Sequence, residues 1–98
     1  MNYKLFDPKE ERDSHDEELW LYVYGRDDGF CQADDCGCEG SEEHHILYKS
    51  HGGKNKANNL VLLCKKHHHE EHSIKAGSKD YYRNRVRINE LRFRDRLV

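Results

Sequence analysis

At 98 residues the chain fits one domain, and a domain this short buries only about 60 to 65% of the surface its unfolded chain exposes. With apolar residues at 35% and charged ones at 37%, the hydrophobic core is marginal and a staple is the expected compensation, disulfide or metal, for which four cysteines and eight histidines supply the material. A formal charge of -2 is not that of a polyanion binder taken as a whole, and no window nears the roughly 18 apolar residues of a bilayer-spanning helix.

The start, Met1 to Asp7, has no basic region followed by an apolar run, so a soluble, intracellular (cytoplasmic) protein without a membrane partner is expected. In a reducing compartment, cysteines at short spacings near histidines are more often metal ligands than disulfides. Charge is uneven along the chain. Residues 1 to 29 hold four basic and nine acidic side chains, residues 30 to 78 hold six lysines against seven acids, and residues 79 to 98 hold seven basic side chains against three acids. Such a division can give one face that attracts phosphate and another that repels it.

In chain order, Ser14 with Glu17 three residues on forms a capping-box pattern, and Leu19, Tyr22 and Val23 recur at helical spacing before Gly25. The pattern predicts a helix over about 15 to 24. Asp27-Asp28-Gly29 signals a turn, and Cys31 to Gly40 is a glycine-punctuated loop with three of the four cysteines. Glu43 to Tyr48 and Leu60 to Leu63 have strand length, separated by a Gly, Asn and Lys-rich loop from Lys49 to Asn59. No breaker follows Cys64 until Gly77, which predicts a helix over about 65 to 76. Tyr82, Val86, Phe93 and Leu97 form one helical stripe among arginines, although Val86 and Ile88 would also suit a short strand. The expected organisation is one domain over 1 to 98, with its core at about 20 to 76 and a basic helix or tail over 79 to 98.

Two groups of side chains have metal-ligand spacing. Cys31 with Cys36, and Cys64 with His67, are short-spaced pairs on separate turns, which a tetrahedral zinc ion can join at little chain-closure cost. Cys38 competes with Cys36, while Gly37 after Cys36 gives the backbone freedom for a knuckle turn. The second group is His44 and His45 on the first strand with His68 and His72 on the helix. His68 and His72 share a helix face, whereas His67 points about 100° from His68 and is available to the cysteines. Adjacent on a strand, His44 and His45 point to opposite faces and so have different jobs.

Glu43-His44-His45-Ile46, Gly52-Gly53, Asn59-Leu60-Val61-Leu62-Leu63-Cys64 and His67-His68 with His72 follow one another in an order that resembles the HNH nuclease family. Arg26-Asp27-Asp28-Gly29-Phe30-Cys31 is similar to that family's approach to its zinc knuckle. The resemblance covers about residues 20 to 73 and implies an α+β, ββα-metal fold: a two-stranded antiparallel hairpin with flanking helices and a structural zinc site. It implies that His45 is a general base, that Asn59 braces the loop and orients that base, and that His68 is a ligand of a catalytic metal. His44 and His72 match the ligand positions of members that use three histidines; other members have Asp in place of His44 or Asn on the helix. His67 stands where many members have a fourth zinc cysteine, and Cys3His remains sound zinc chemistry.

The implied activity is metal-dependent hydrolysis of phosphodiester bonds in DNA, with structural Zn2+ and a catalytic divalent ion, Mn2+, Ni2+, Co2+, Zn2+ or Mg2+. Lys49, Lys54, Lys56, Lys65 and Lys66, with the arginines from Arg83, Arg85 and Arg87 onward, are placed to meet phosphates. Either weak specificity or a protein partner that supplies it is expected, since phosphate contacts carry little sequence information. Two other readings are a non-catalytic, zinc-containing nucleic-acid-binding module and the nuclease subunit of a larger phage or restriction complex.

Overall fold

A computed structural model describes residues 7–13, 16–73 and 79–97, and of His72, Ser73 and Leu97 only the backbone. The first helix, α1, spans Glu17–Arg26. Its N-cap is Asp16, whose side chain accepts from the Leu19 N–H at 2.9 Å. Glu17 and Glu18 in the first turn and Arg26 in the last complement the helix dipole. The capping box from Ser14 lies outside the described residues. At the other end the helix passes Gly25 and stops at Asp27, because the chain turns where Asp28 and Gly29 take left-handed φ of 57° and 73°. The Gly29 N–H then closes on the Tyr24 carbonyl at 2.9 Å.

Strand β1, Glu42–His45, pairs antiparallel with β2, Leu60–Leu63, in the register Glu42 with Leu63 through His45 with Leu60. The first strand is shorter than its sequence suggests. Ile46 still donates to the Asn59 carbonyl at 2.8 Å, but the Leu47 N–H is taken by the Asn59 side chain, which ends the ladder. The loop that follows contains two short 3-10 turns, Lys49–His51 and Ala57–Asn59. Helix α2, Lys65–Ser73, follows β2 directly, and helix α3, Lys79–Leu97, ends the chain. The glycine at 77, expected to end α2, lies outside the described residues.

Strand β2 is buried along its whole length, and its alternation divides the core in two. Leu60 and Leu62 pack with Leu19, Tyr22 and Val23 of α1, with Ala57, and with Phe93 of α3. Val61 and Leu63 face the other way, to Cys31, Ile46 and Cys64 and to Tyr82 and Val86 of α3. Each Leu, Ile, Val or Phe among them contributes about 1.5–3 kcal/mol by leaving water. The stripe on α3 is the one its spacing predicts, with Asn89 filling the gap between Val86 and Phe93; Leu97 falls outside the described side chains.

Candidate active site

The Cys31 to Gly40 loop folds back on itself: Phe30 bridges Glu39, the Cys31 N–H donates to the Cys38 carbonyl at 2.9 Å, and Gly40 donates to Gly29 at 2.8 Å. Gly40 lies against Leu62, where a Cβ would meet Cγ at 2.3 Å, so this loop can pack on β2 only with glycine there. The Gln32 N–H and Ser41 N–H bond to the Leu62 and Leu63 carbonyls and fix the loop beside the end of the strand. Cys31 and Cys36 thereby face Cys64 and His67 at the start of α2.

The donor atoms of Cys31, Cys36, Cys64 and His67 all lie within 4.8 Å of one another. Nδ1 of His67 is 3.7 Å from the Cys31 sulfur and 3.3 Å from that of Cys64. Tetrahedral Zn2+ with bonds of about 2.3 Å to sulfur and 2.0–2.1 Å to nitrogen sets S to N separations of about 3.5 Å, so the Cys3His set fits such an ion. Burial pushes the Cys31 thiol up to about 12. The Cys38 backbone N–H draws Cys36 below the ordinary thiol value. Of the two competing cysteines, Cys36 belongs to the cluster and Cys38 is exposed.

On the α2 side of the hairpin, His44 is 2% exposed and its ring lies edge-on to that of His68, 5.3 Å between centroids. Tyr48 and Tyr82 each approach His44 at 5.9 Å. Nδ1 of His68 faces Oε1 of Glu42 at 2.5 Å. Glu42 is two residues before His44 and therefore shares its face of β1. The structure thus brings together His44 and His68, two of the three expected catalytic ligands. The side chain of the third, His72, lies outside the described residues.

His45 points away from that pair. Its Nε2 contacts Oδ1 of Asn55 at 2.6 Å. Asn55 is held in turn: its carbonyl accepts from the Arg12 N–H at 2.9 Å, and the preceding carbonyl, Lys54, accepts from Nδ2 of Asn59 at 3.1 Å. Asn59 also bonds Leu47 through both its N–H and its carbonyl. Gly53 allows the loop to close this tightly, since a Cβ there would lie 1.8 Å from the Leu47 carbonyl oxygen. Glu43, on the same face of β1 as His45, is carried up to about 7 by burial, against the opposing pull of Arg26.

Beneath the loop lies a buried ion pair. Arg26, 1% exposed, meets Asp27 through Nε and Nη2 at 2.9 and 3.0 Å and donates to the Ala57 and Leu60 carbonyls at 2.6 Å each. Asp27 accepts from the Leu62 N–H and from Asn89 of α3. The residues on either side of Asn58 and Asn59 are therefore fixed from below.

Of the cations expected to meet phosphate, Lys49, Lys54, Lys65, Lys66, Arg83 and Arg87 are exposed and Lys56 is half-buried. Arg85 turns to Gln32 at 3.1 Å, on a different flank of α3 from Arg83 and Arg87. Sequence reasoning misses Asn55, Glu42 and the Arg26–Asp27 pair. A glutamate two residues before a strand histidine is a signal that could have found Glu42, since the two share a face; Asn55 carries none that separates it from Asn58.

A short hairpin followed by a helix, with a Cys3His cluster at one end and paired histidines on the helix side, defines a small α+β metal-binding domain of the ββα type. Residues 31–82, just over half the chain, match the family model described as HNH endonuclease, and the chain belongs to that family. Membership ties it to nuclease and nucleic-acid chemistry. No curated protein matches it. Among the described residues no helix is long and apolar enough to cross a membrane.

Proposed function

We propose that this chain is a metal-dependent endonuclease that hydrolyses phosphodiester bonds of DNA, with His45 as general base and a divalent ion held by His44, His68 and His72. The contact between His45 and Asn55 carries the reading. An amide oxygen only accepts, so Nε2 of His45 bears the proton and Nδ1 presents its lone pair. Nδ1 takes the proton of a water as the water oxygen bonds to phosphorus. The bond from phosphorus to the 3′ oxygen breaks, and that oxygen gains a proton from solvent.

Asn55 fixes the ring and its tautomer, and Asn59 acts one step further back by holding the loop that carries Asn55. Glu42 accepts from Nδ1 of His68 and so assigns metal ligation to Nε2. His44, His68 and His72 would hold a divalent ion, which would supply positive charge to the scissile phosphate. Three imidazoles suit Zn2+, Ni2+, Co2+ or Mn2+ better than Mg2+, which favours oxygen ligands. Cys31, Cys36, Cys64 and His67 hold a structural Zn2+ that substitutes for a large core. Lys49, Lys54, Lys56, Lys65, Lys66, Arg83 and Arg87 supply affinity for the DNA backbone, while Arg85 is turned to Gln32, and a protein partner that chooses the target fits contacts of this kind.

Incubation of the purified protein with supercoiled plasmid and a panel of divalent ions tests the reading. Nicked or linear product that depends on the added ion is expected. Zinc-loaded, folded protein that leaves the plasmid intact with every ion contradicts it.

A further inference from the structure

We infer that the trough between α3 and the N-terminal segment is a phosphate track along which one strand of the substrate leaves the active site. The inference rests on the nuclease reading above and adds a path for the nucleic acid. Helix α3 buries Tyr82, Val86, Asn89 and Phe93 and leaves two exposed flanks. On one flank, Arg83, Arg87 and Arg94 border Asn58 and line a depression of about 250 Å³. A second depression of about 280 Å³ is lined by Lys9, Lys56 and Arg94. The two share Asn58, Glu90 and Arg94, so they form one continuous trough.

Charge decides what the trough fits. Five cations, Lys9, Lys56, Arg83, Arg87 and Arg94, line it, against one acid among the described residues, Glu90. That acid is already engaged by the Tyr22 hydroxyl and by Arg26 at 3.6 Å. Arg87 is bonded only to the neutral amide of Asn84, and no ion pair ties Arg83, Arg94 or Lys56 among the described residues. The opposite flank also carries arginines but differs in balance. Arg85 is turned to Gln32, Arg96 is bound to Asp28 at 2.6 Å, and Asp28 and Asp35 line the cavity beside Arg92.

Position and length agree with a nucleic-acid strand. Where its two halves join, the trough passes Asn58, next to Asn59, whose amide holds the loop that orients His45. From Arg83 to Arg94 the helix rises about 16 Å, the axial length of roughly five phosphates at about 3.4 Å each. Leu91, 57% exposed, lies between the arginines and offers apolar surface to a sugar face.

Arg94 and Arg92 form a matched pair for the test: both are exposed on one helix and two residues apart, but only Arg94 lines the trough. Binding of a duplex oligonucleotide to the zinc-loaded full chain, with no added divalent ion, is measured against salt concentration. Each phosphate contact contributes about 0.9 to the slope of log K on log salt. Arg94→Gln should lower the slope by about 0.9 and the triple variant Arg83→Gln, Arg87→Gln, Arg94→Gln by about 2.7, while Arg92→Gln leaves it unchanged. Circular dichroism and zinc content checked in each variant separate these effects from misfolding. Equal changes for Arg92→Gln and Arg94→Gln would reduce the track to diffuse charge and overturn it. An unchanged slope in the triple variant would also overturn it, and would leave the trough to an acidic protein surface while plasmid cleavage still stands. Wild-type protein without salt-dependent DNA binding would overturn the track and the nuclease reading together.

Discussion

Asn59 and Leu47 are bonded in both directions: the Leu47 N–H donates to Oδ1 of Asn59 at 2.8 Å, and Nδ2 of Asn59 donates to the Leu47 carbonyl at 3.0 Å. One side chain thus imitates a strand partner where the ladder of β1 stops, and its second N–H reaches on to Lys54. Asn59→Ala leaves Leu47 N–H, Leu47 C=O and Lys54 C=O without this partner. Partly exposed groups regain water, so a loss of about 1–2 kcal/mol is expected in denaturant unfolding. Asn59→Asp keeps the acceptor for the Leu47 N–H but sets a carboxylate oxygen against the Leu47 and Lys54 carbonyls, and should be no more stable than the alanine variant. Cleavage should slow in both, since the loop carrying Asn55 loosens.

Gly53 tests the same loop from the other side. A Cβ at this position would meet the Leu47 carbonyl oxygen, the atom that Asn59 binds, at 1.8 Å. Gly53→Ala must displace backbone and should cost about 1–3 kcal/mol, with cleavage reduced. Gly52→Ala is the control for space: nothing lies within 4 Å of its Cβ, although its φ of 91° still penalises a side chain. Thermal unfolding that ranks Gly53→Ala as the milder variant would contradict the close approach.

The Cys3His cluster predicts that metal removal unfolds the domain, because binding free energy in so small a core is folding free energy. Purified protein should carry about one tightly bound zinc ion per chain, and a strong chelator should abolish the helical dichroism. Cys36→Ser should reproduce most of that loss and Cys38→Ser little, since Cys38 is exposed outside the cluster. A severe Cys38 phenotype with an intact Cys36 variant would reverse the assignment.

Glu42 predicts a milder effect at the catalytic ion. His68→Ala should lose that ion and retain the structural one. Glu42→Gln keeps the size of the side chain but removes the charge that faces His68, and partners of this kind are worth about 10- to 100-fold in metal affinity or activity. Titration with Mn2+ or Co2+, followed by cleavage rate, measures it. An unchanged ion requirement in Glu42→Gln would remove Glu42 from the site.

The β, loop, β, α order is legible because each element has its own period: a four-residue apolar run for β2, a stripe at Tyr82, Val86 and Phe93 for α3. The Cys3His set is legible because short ligand pairs on separate turns have few other uses. Local chemistry decides the ends of elements. Gly25 reads as a helix stop but lies inside α1, since the left-handed turn falls at Asp28 and Gly29 instead. Arg26 and Asp27 read only as a turn and the approach to a zinc knuckle; their burial is not legible, because only the folded chain brings the Ala57 and Leu60 carbonyls to the guanidinium. Asn55, Asn58 and Asn59 are alike in a polar loop, and only the register that sets His45 opposite Leu60 shows which of them reaches its ring.

The central claim is that His45 takes the proton from water, and the most direct test is the single-turnover cleavage rate of His45→Ala at saturating metal. A loss of about 10²- to 10⁴-fold is expected, with zinc content, catalytic-ion binding and DNA affinity close to wild type. His45→Ala combined with Asn59→Ala should cleave no more slowly than His45→Ala alone, because a brace has no effect once the base is gone. A His45→Ala protein that cuts DNA at the wild-type rate in the same metal would contradict the mechanism.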